Sequence, residues 1–125
     1  MHVLHYSPAE PTVLKRLAAE HAIREDDVDD LLRRAVLVDL LAVVRQGLRA
    51  GVESYSLKRI EALAGFRRAA AMGSGADAVL GYEAWQEHRD PALLDAIAAY
   101  NEEDCRATAA VRDWLLAIRP PDASW

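Results

Sequence analysis

The chain is poor in the residues that mark several common classes of protein. Its single cysteine, Cys105, permits no internal disulfide and no thiolate zinc cage of its own, which fits a reducing compartment. Six glycines and five prolines exclude a collagenous chain, and an aromatic content of 6% does not point to a Tyr- and Trp-rich β-sandwich. The longest apolar stretch, Ala35 to Val44, is interrupted by Asp39 and falls short of the ~20 residues that span a bilayer. The opening Met1-His2-Val3-Leu4-His5-Tyr6 has no basic segment followed by an apolar one, so it does not read as a signal peptide. The expectation is a cytoplasmic protein without membrane contact. No GxxxxGK loop or GxGxxG turn occurs, and His2, His5, His21 and His88 form no HExxH or other metal pair. Basic charge is not in excess either: 15 Lys and Arg face 20 Asp and Glu, for a net charge of −5. A polyanion would have to find a local basic patch.

What is present is the composition of one domain or part of one, 125 residues of which 52% are apolar. His2 to Tyr6 reads as a short strand stopped by Ser7-Pro8. Val13, Leu14, Leu17 and Ala18 predict a helix from Thr12 to about His21, with Pro11 at its first position. A second helix, Glu25 to Arg34, begins acidic and ends basic, the order the helix dipole favours. Ala35 to Asp39 is either a brief buried strand or the start of a helix that continues to Leu48. Ser56 caps Leu57 to Ala64 with Gly65 as its stop, and Arg67 to Gly75 reads as a flexible loop. Ser74 and Asp77 resemble a capping box for a helix through His88, and Asp90-Pro91 opens the longest helix, to about Ile118. The sum is a mainly α chain of five or six helices and one or two short strands. A lone strand leaves backbone groups unpaired, so its sheet partners are expected outside this sequence or in a second copy.

The last helix carries the strongest chemical signal. At ~100° per residue, Leu93, Ile97, Val111 and Leu115 share an arc roughly 40° wide, and Asp104 falls within roughly 20° of Ile97. A carboxylate in an apolar stripe is expensive unless it is paired, hydrogen-bonded or on a metal. Tyr100 lies one turn earlier on the same face. Asp104 either meets an arginine of a neighbouring helix, with 13 to choose from, or belongs to a site. Glu10, just after the first strand, stands where open α/β sheets hold ligands, or it closes a capping box with Ser7. Asp39 among Val36, Leu37, Val38, Leu40 and Leu41 suits a cap or an ion pair, and the acidic run from Glu25 suits a solvated helix start. Arg45, Arg49, Lys58, Arg59, Arg67 and Arg68 either touch phosphates or simply solvate helix surfaces, and Cys105 reads as a small packing residue.

Tyr100-Asn101-Glu102-Glu103-Asp104 resembles the YxxxD motif of the DEDD-type 3′→5′ exonucleases, which have an RNase H-like fold. His5-Tyr6-Ser7-Pro8-Ala9-Glu10 is similar to the family's second motif, at a strand-to-helix junction. Val36 to Leu40 and Ser54 to Ile60 look like the segments between motifs in its predicted RecB-like nuclease branch, where Glu replaces the second-motif Asp. The resemblance implies that Glu10 and Asp104 are metal-associated carboxylates and that Tyr100 orients the attacking water. It implies two-metal phosphodiester hydrolysis with Mg²⁺ or Mn²⁺, acting on the 3′ end of DNA or RNA. The family's first motif, Asp-x-Glu on a first strand, is absent, and position 9 is Ala where an aromatic is usual. The chain is therefore expected to be the C-terminal portion of an α/β RNase H-like domain, inactive alone. A non-catalytic helical module that self-associates or pairs with a partner protein is the competing expectation.

Overall fold

Val3–His5 forms strand β1, and Leu37–Asp39 forms β2 beside it in a parallel pair with Val3 opposite Leu37, Leu4 opposite Val38 and His5 opposite Asp39. This corrects one expectation: the opening strand has its partner within the sequence, and Ala35 to Asp39 resolves into a strand rather than a helix start. Parallel strands need a long crossover, which is supplied by α1 (Ala9–His21) and α2 (Glu25–Arg33). Four more helices follow: α3 (Leu40–Gly47), α4 (Leu57–Leu63), α5 (Gly75–His88) and α6 (Pro91–Ile118). The computed structural model describes residues 1–69 and 72–122, so the expected loop from Arg67 to Gly75 lies partly outside the described residues. The architecture is mainly helical, consistent with part of an RNase H-like fold. No helix among the described residues is long and apolar enough to cross a membrane.

Helix α1 starts at Ala9 behind Pro8, three residues before the expected start, and Pro11 is its third residue. A missing N–H costs nothing there, because the first four amides of a helix have no intrahelical acceptor. The expected Ser7–Glu10 capping box does not form; Ser7 Oγ instead accepts from the Ala9 amide at 3.3 Å. Its apolar residues are also not buried as a helical stripe: Ala18 is, but Val13, Leu14 and Leu17 stay 41%, 39% and 42% exposed. Ser56 stands at the N-cap of α4 but its side chain makes no capping bond, whereas the caps of α5 and α6 form as expected. Ser74 Oγ accepts from the Asp77 amide at 3.2 Å, Asp77 Oδ2 accepts from the Gly73 amide at 3.1 Å, and Asp90 Oδ1 accepts from the Ala92 amide ahead of Pro91. At Gly65 the backbone turns left-handed (φ 79°), which stops the chain after α4. The acidic start of α2 is solvated and paired within its own surface, Arg24 with Asp27, Arg33 with Asp29 and Arg34 with Asp30.

The core is centred on Tyr6, Leu40, Val44, Ile60 and Val111, flanked by Leu4, Val38, Leu57, Trp114 and Leu115. Helix α6 crosses the molecule and packs on α5, α4, α3 and β1. Its two ends therefore have different jobs: the first turns meet α5, while the middle turns face the end of β1 and the start of α4. Tyr6 anchors the junction by donating its hydroxyl to the Tyr55 carbonyl at 2.8 Å.

Candidate active site

Two junctions are pinned together at the end of the strands. Asp39 caps α3, its Oδ1 accepting from the Leu41 amide at 2.9 Å, and the same oxygen accepts from the Ser7 amide at 3.1 Å. Ser7 has φ 123°, a conformation unfavourable for a residue with a side chain, and it is held by that bond and by His5, whose Nδ1–H donates to the Ser7 carbonyl at 2.6 Å. The capping role expected of Asp39 is thus present, with a second one that the sequence does not reveal. The turn aims the first turn of α1 over the strand ends. Glu10, 53% exposed there, lies 3.7 Å from His5 Nδ1.

Opposite stands the middle of α6. Tyr100 is buried, and Asp104 one turn on is half-buried, its side chain 37% exposed. The carboxylate expected in the middle of an apolar stripe is therefore at the edge of the core rather than within it. Its partner is an arginine, as one reading of the sequence has it, but from the segment after α4 instead of a neighbouring helix: Arg68 Nη2 approaches Asp104 Oδ1 at 2.7 Å. The same guanidinium donates from Nε and Nη2 to the two oxygens of Glu61, both at 2.7 Å. Glu61 is buried and Arg68 is 15% exposed, so this is a fork-shaped ion pair largely withdrawn from water. Hydrogen bonding to Glu61 raises the Arg68 pKa further above its ordinary value against the opposing effect of burial, with Asp104 adding to the rise. The guanidinium lies 5.5 Å from the Tyr100 ring centre and the Lys58 ammonium 5.8 Å from it. Burial first, then the charge of Asp104, pushes the Tyr100 phenol above its usual pKa, so it stays a hydrogen-bond donor.

Glu10, Tyr100 and Asp104 line one open cleft of about 610 Å³, together with His5, Lys58 and Arg68. Cys105 lines it too and is exposed, which corrects its reading as a packing residue. Of the middle basic cluster, Arg59 pairs with Glu53 on the surface, whereas Arg68 is part of the cleft wall. Glu61 is the residue the sequence reading missed. A signal for it exists: Leu57, Ile60, Glu61 and Ala64 follow i, i+3, i+4, i+7 spacing, which puts its carboxylate on the apolar face of α4.

A family model described as RNase H superfamily matches residues 2–116. The chain belongs to the RNase H superfamily. No curated protein and no solved structure matches it. Membership of this superfamily supports, at a coarse level, a nuclease that cleaves nucleic acid, and such nucleases generally use divalent metals. The described residues of this RNase H-like chain do not by themselves offer a fitting ion site. Hard divalent ions take six or more oxygen ligands, and among the described residues no group of three or more His, Cys, Asp or Glu is placed to hold one. Glu10 and Asp104 face one cleft, but Asp104 already has a cation against it.

Proposed function

We propose that the chain forms one wall of the active cleft of a nuclease that shortens nucleic-acid strands from their 3′ ends, of the YxxxD type, with Mg²⁺ or Mn²⁺ as its ion. The observation that carries this reading is the convergence of Glu10 and the Tyr100–Asp104 pair on one cleft, from elements far apart in the sequence. In it, the Tyr100 hydroxyl orients the attacking water. Glu10 and Asp104 are two of the four carboxylates of the DEDD set. The other two come from outside these residues, and the chain alone is inactive.

The test uses 5′-labelled single-stranded DNA and RNA with Mn²⁺ and a version of the chain extended upstream by a strand bearing Asp-x-Glu. Stepwise shortening from the 3′ end is expected, reduced on the order of a hundredfold or more by Asp104→Asn. No shortening, or shortening unchanged by Asp104→Asn, rejects the reading. A second reading, a self-associating helical module, is favoured by one observation, the exposed Val13, Leu14 and Leu17 of α1. Sedimentation equilibrium decides it: a monomer at high micromolar concentration removes this alternative.

A further inference from the structure

Two cations, Lys58 and Arg68, line the cleft together with His5, and the three side chains differ in what they are already bound to. His5 is tied through Nδ1 to the Ser7 carbonyl and lies beside Glu10. Arg68 is committed to Glu61 and Asp104. Lys58, in the first turn of α4, has no carboxylate within ion-pair distance among the described residues, and its ammonium is held over the Tyr100 ring. A cation in the first turn of a helix gains nothing from the backbone dipole, so its place there is not explained by the stability of α4. The cation–π contact keeps it at the cleft, 5.8 Å from the centre of the ring whose helix also carries Asp104.

We infer that Lys58 is the site in the cleft that holds a backbone phosphate of a bound single strand. The inference rests on the nuclease reading and deepens it. The chain carries a net charge of −5, and Glu10 adds a carboxylate to the cleft, so a phosphodiester entering it is repelled unless a cation is available. Arg68 is less available: Nε and Nη2 are committed to Glu61 and Asp104, and its unpartnered Nη1 is buried away from solvent. Lys58 can turn from the face of Tyr100 to a phosphate oxygen without breaking any ion pair, and its flexible stem and compact charge suit a contact that follows the backbone rather than a base.

The experiment is fluorescence anisotropy of a labelled single-stranded oligonucleotide with the full chain, in chelator, over a series of salt concentrations. Lys58→Met is expected to weaken binding about three- to fivefold at low salt. It should also flatten the plot of log affinity against log salt by about 0.7, the change that follows when one phosphate of a single strand is no longer neutralised. Lys58→Arg should restore both, and Lys15→Met, on α1, should alter neither. Circular dichroism checks that each variant is folded. If the unaltered chain binds and Lys58→Met keeps its affinity and slope, the assignment of Lys58 is wrong while the nuclease reading survives. If the unaltered chain binds no oligonucleotide even at low salt, the assignment of Lys58 falls as well, while the nuclease reading is decided by the shortening assay on the extended version with Mn²⁺.

Discussion

At the scale of single residues, the largest effect belongs to the Arg68–Glu61 pair. Removing one partner of a buried ion pair leaves the other charge unpaired, which costs about 3–5 kcal/mol, so Arg68→Met should lower the unfolding free energy by about that much in urea titration at neutral pH. Adding Glu61→Leu to Arg68→Met should recover most of the loss, because an apolar residue of similar size fits the same wall. Tyr6 gives a pH signature. Burial pushes its phenol up to about 12, so the unfolded chain releases this proton first as pH rises. Stability should therefore fall progressively from about pH 10 towards 12, and Tyr6→Phe should blunt that fall while costing about 1 kcal/mol at pH 7 for the missing bond to Tyr55. The long-range pairings of these residues have no local trace in the sequence. Arg68 meets Asp104, and Tyr6 meets Tyr55, only once the chain has folded.

At the scale of elements, the ends of helices are the most legible parts. Ser74 with Asp77, and Asp90 before Pro91, act through bonds to amides two or three residues away, so their effect is written in consecutive residues. The start of α1 is harder to read, because Pro8 and Pro11 both suit a helix entrance and the choice is made by Asp39, thirty-two residues after Ser7. The end of the same helix is a left-handed Ala22 at φ 50°, with Ile23 N–H donating to the Ala18 carbonyl. Ala22→Gly should raise stability by about 0.5–1 kcal/mol, read as a higher urea midpoint with an unchanged slope. The period of α1 identifies its type and says nothing of what covers it: Val13, Leu14 and Leu17 recur at helical spacing yet lie largely exposed.

At the scale of the whole molecule, mainly helical architecture follows from composition and period, whereas the cleft follows from the meeting of distant segments. Glu10 and the Tyr100–Asp104 pair are nameable from sequence only through a motif resemblance, and their common cleft depends on β1 and β2 lying side by side. That pairing has a consequence through Asp39 Oδ1, which receives amides from both Ser7 and Leu41. In a parallel pair, a slip of one residue turns every side chain of a strand to the opposite face. A chain paired one residue out of step would keep its helices and much of its apolar packing, yet Asp39 would face away and the Ser7 turn would go without its clasp. Only correctly aligned chains assemble the cleft, so a ligand held there would act as a proofreader of strand alignment, favouring the one register in which the site exists.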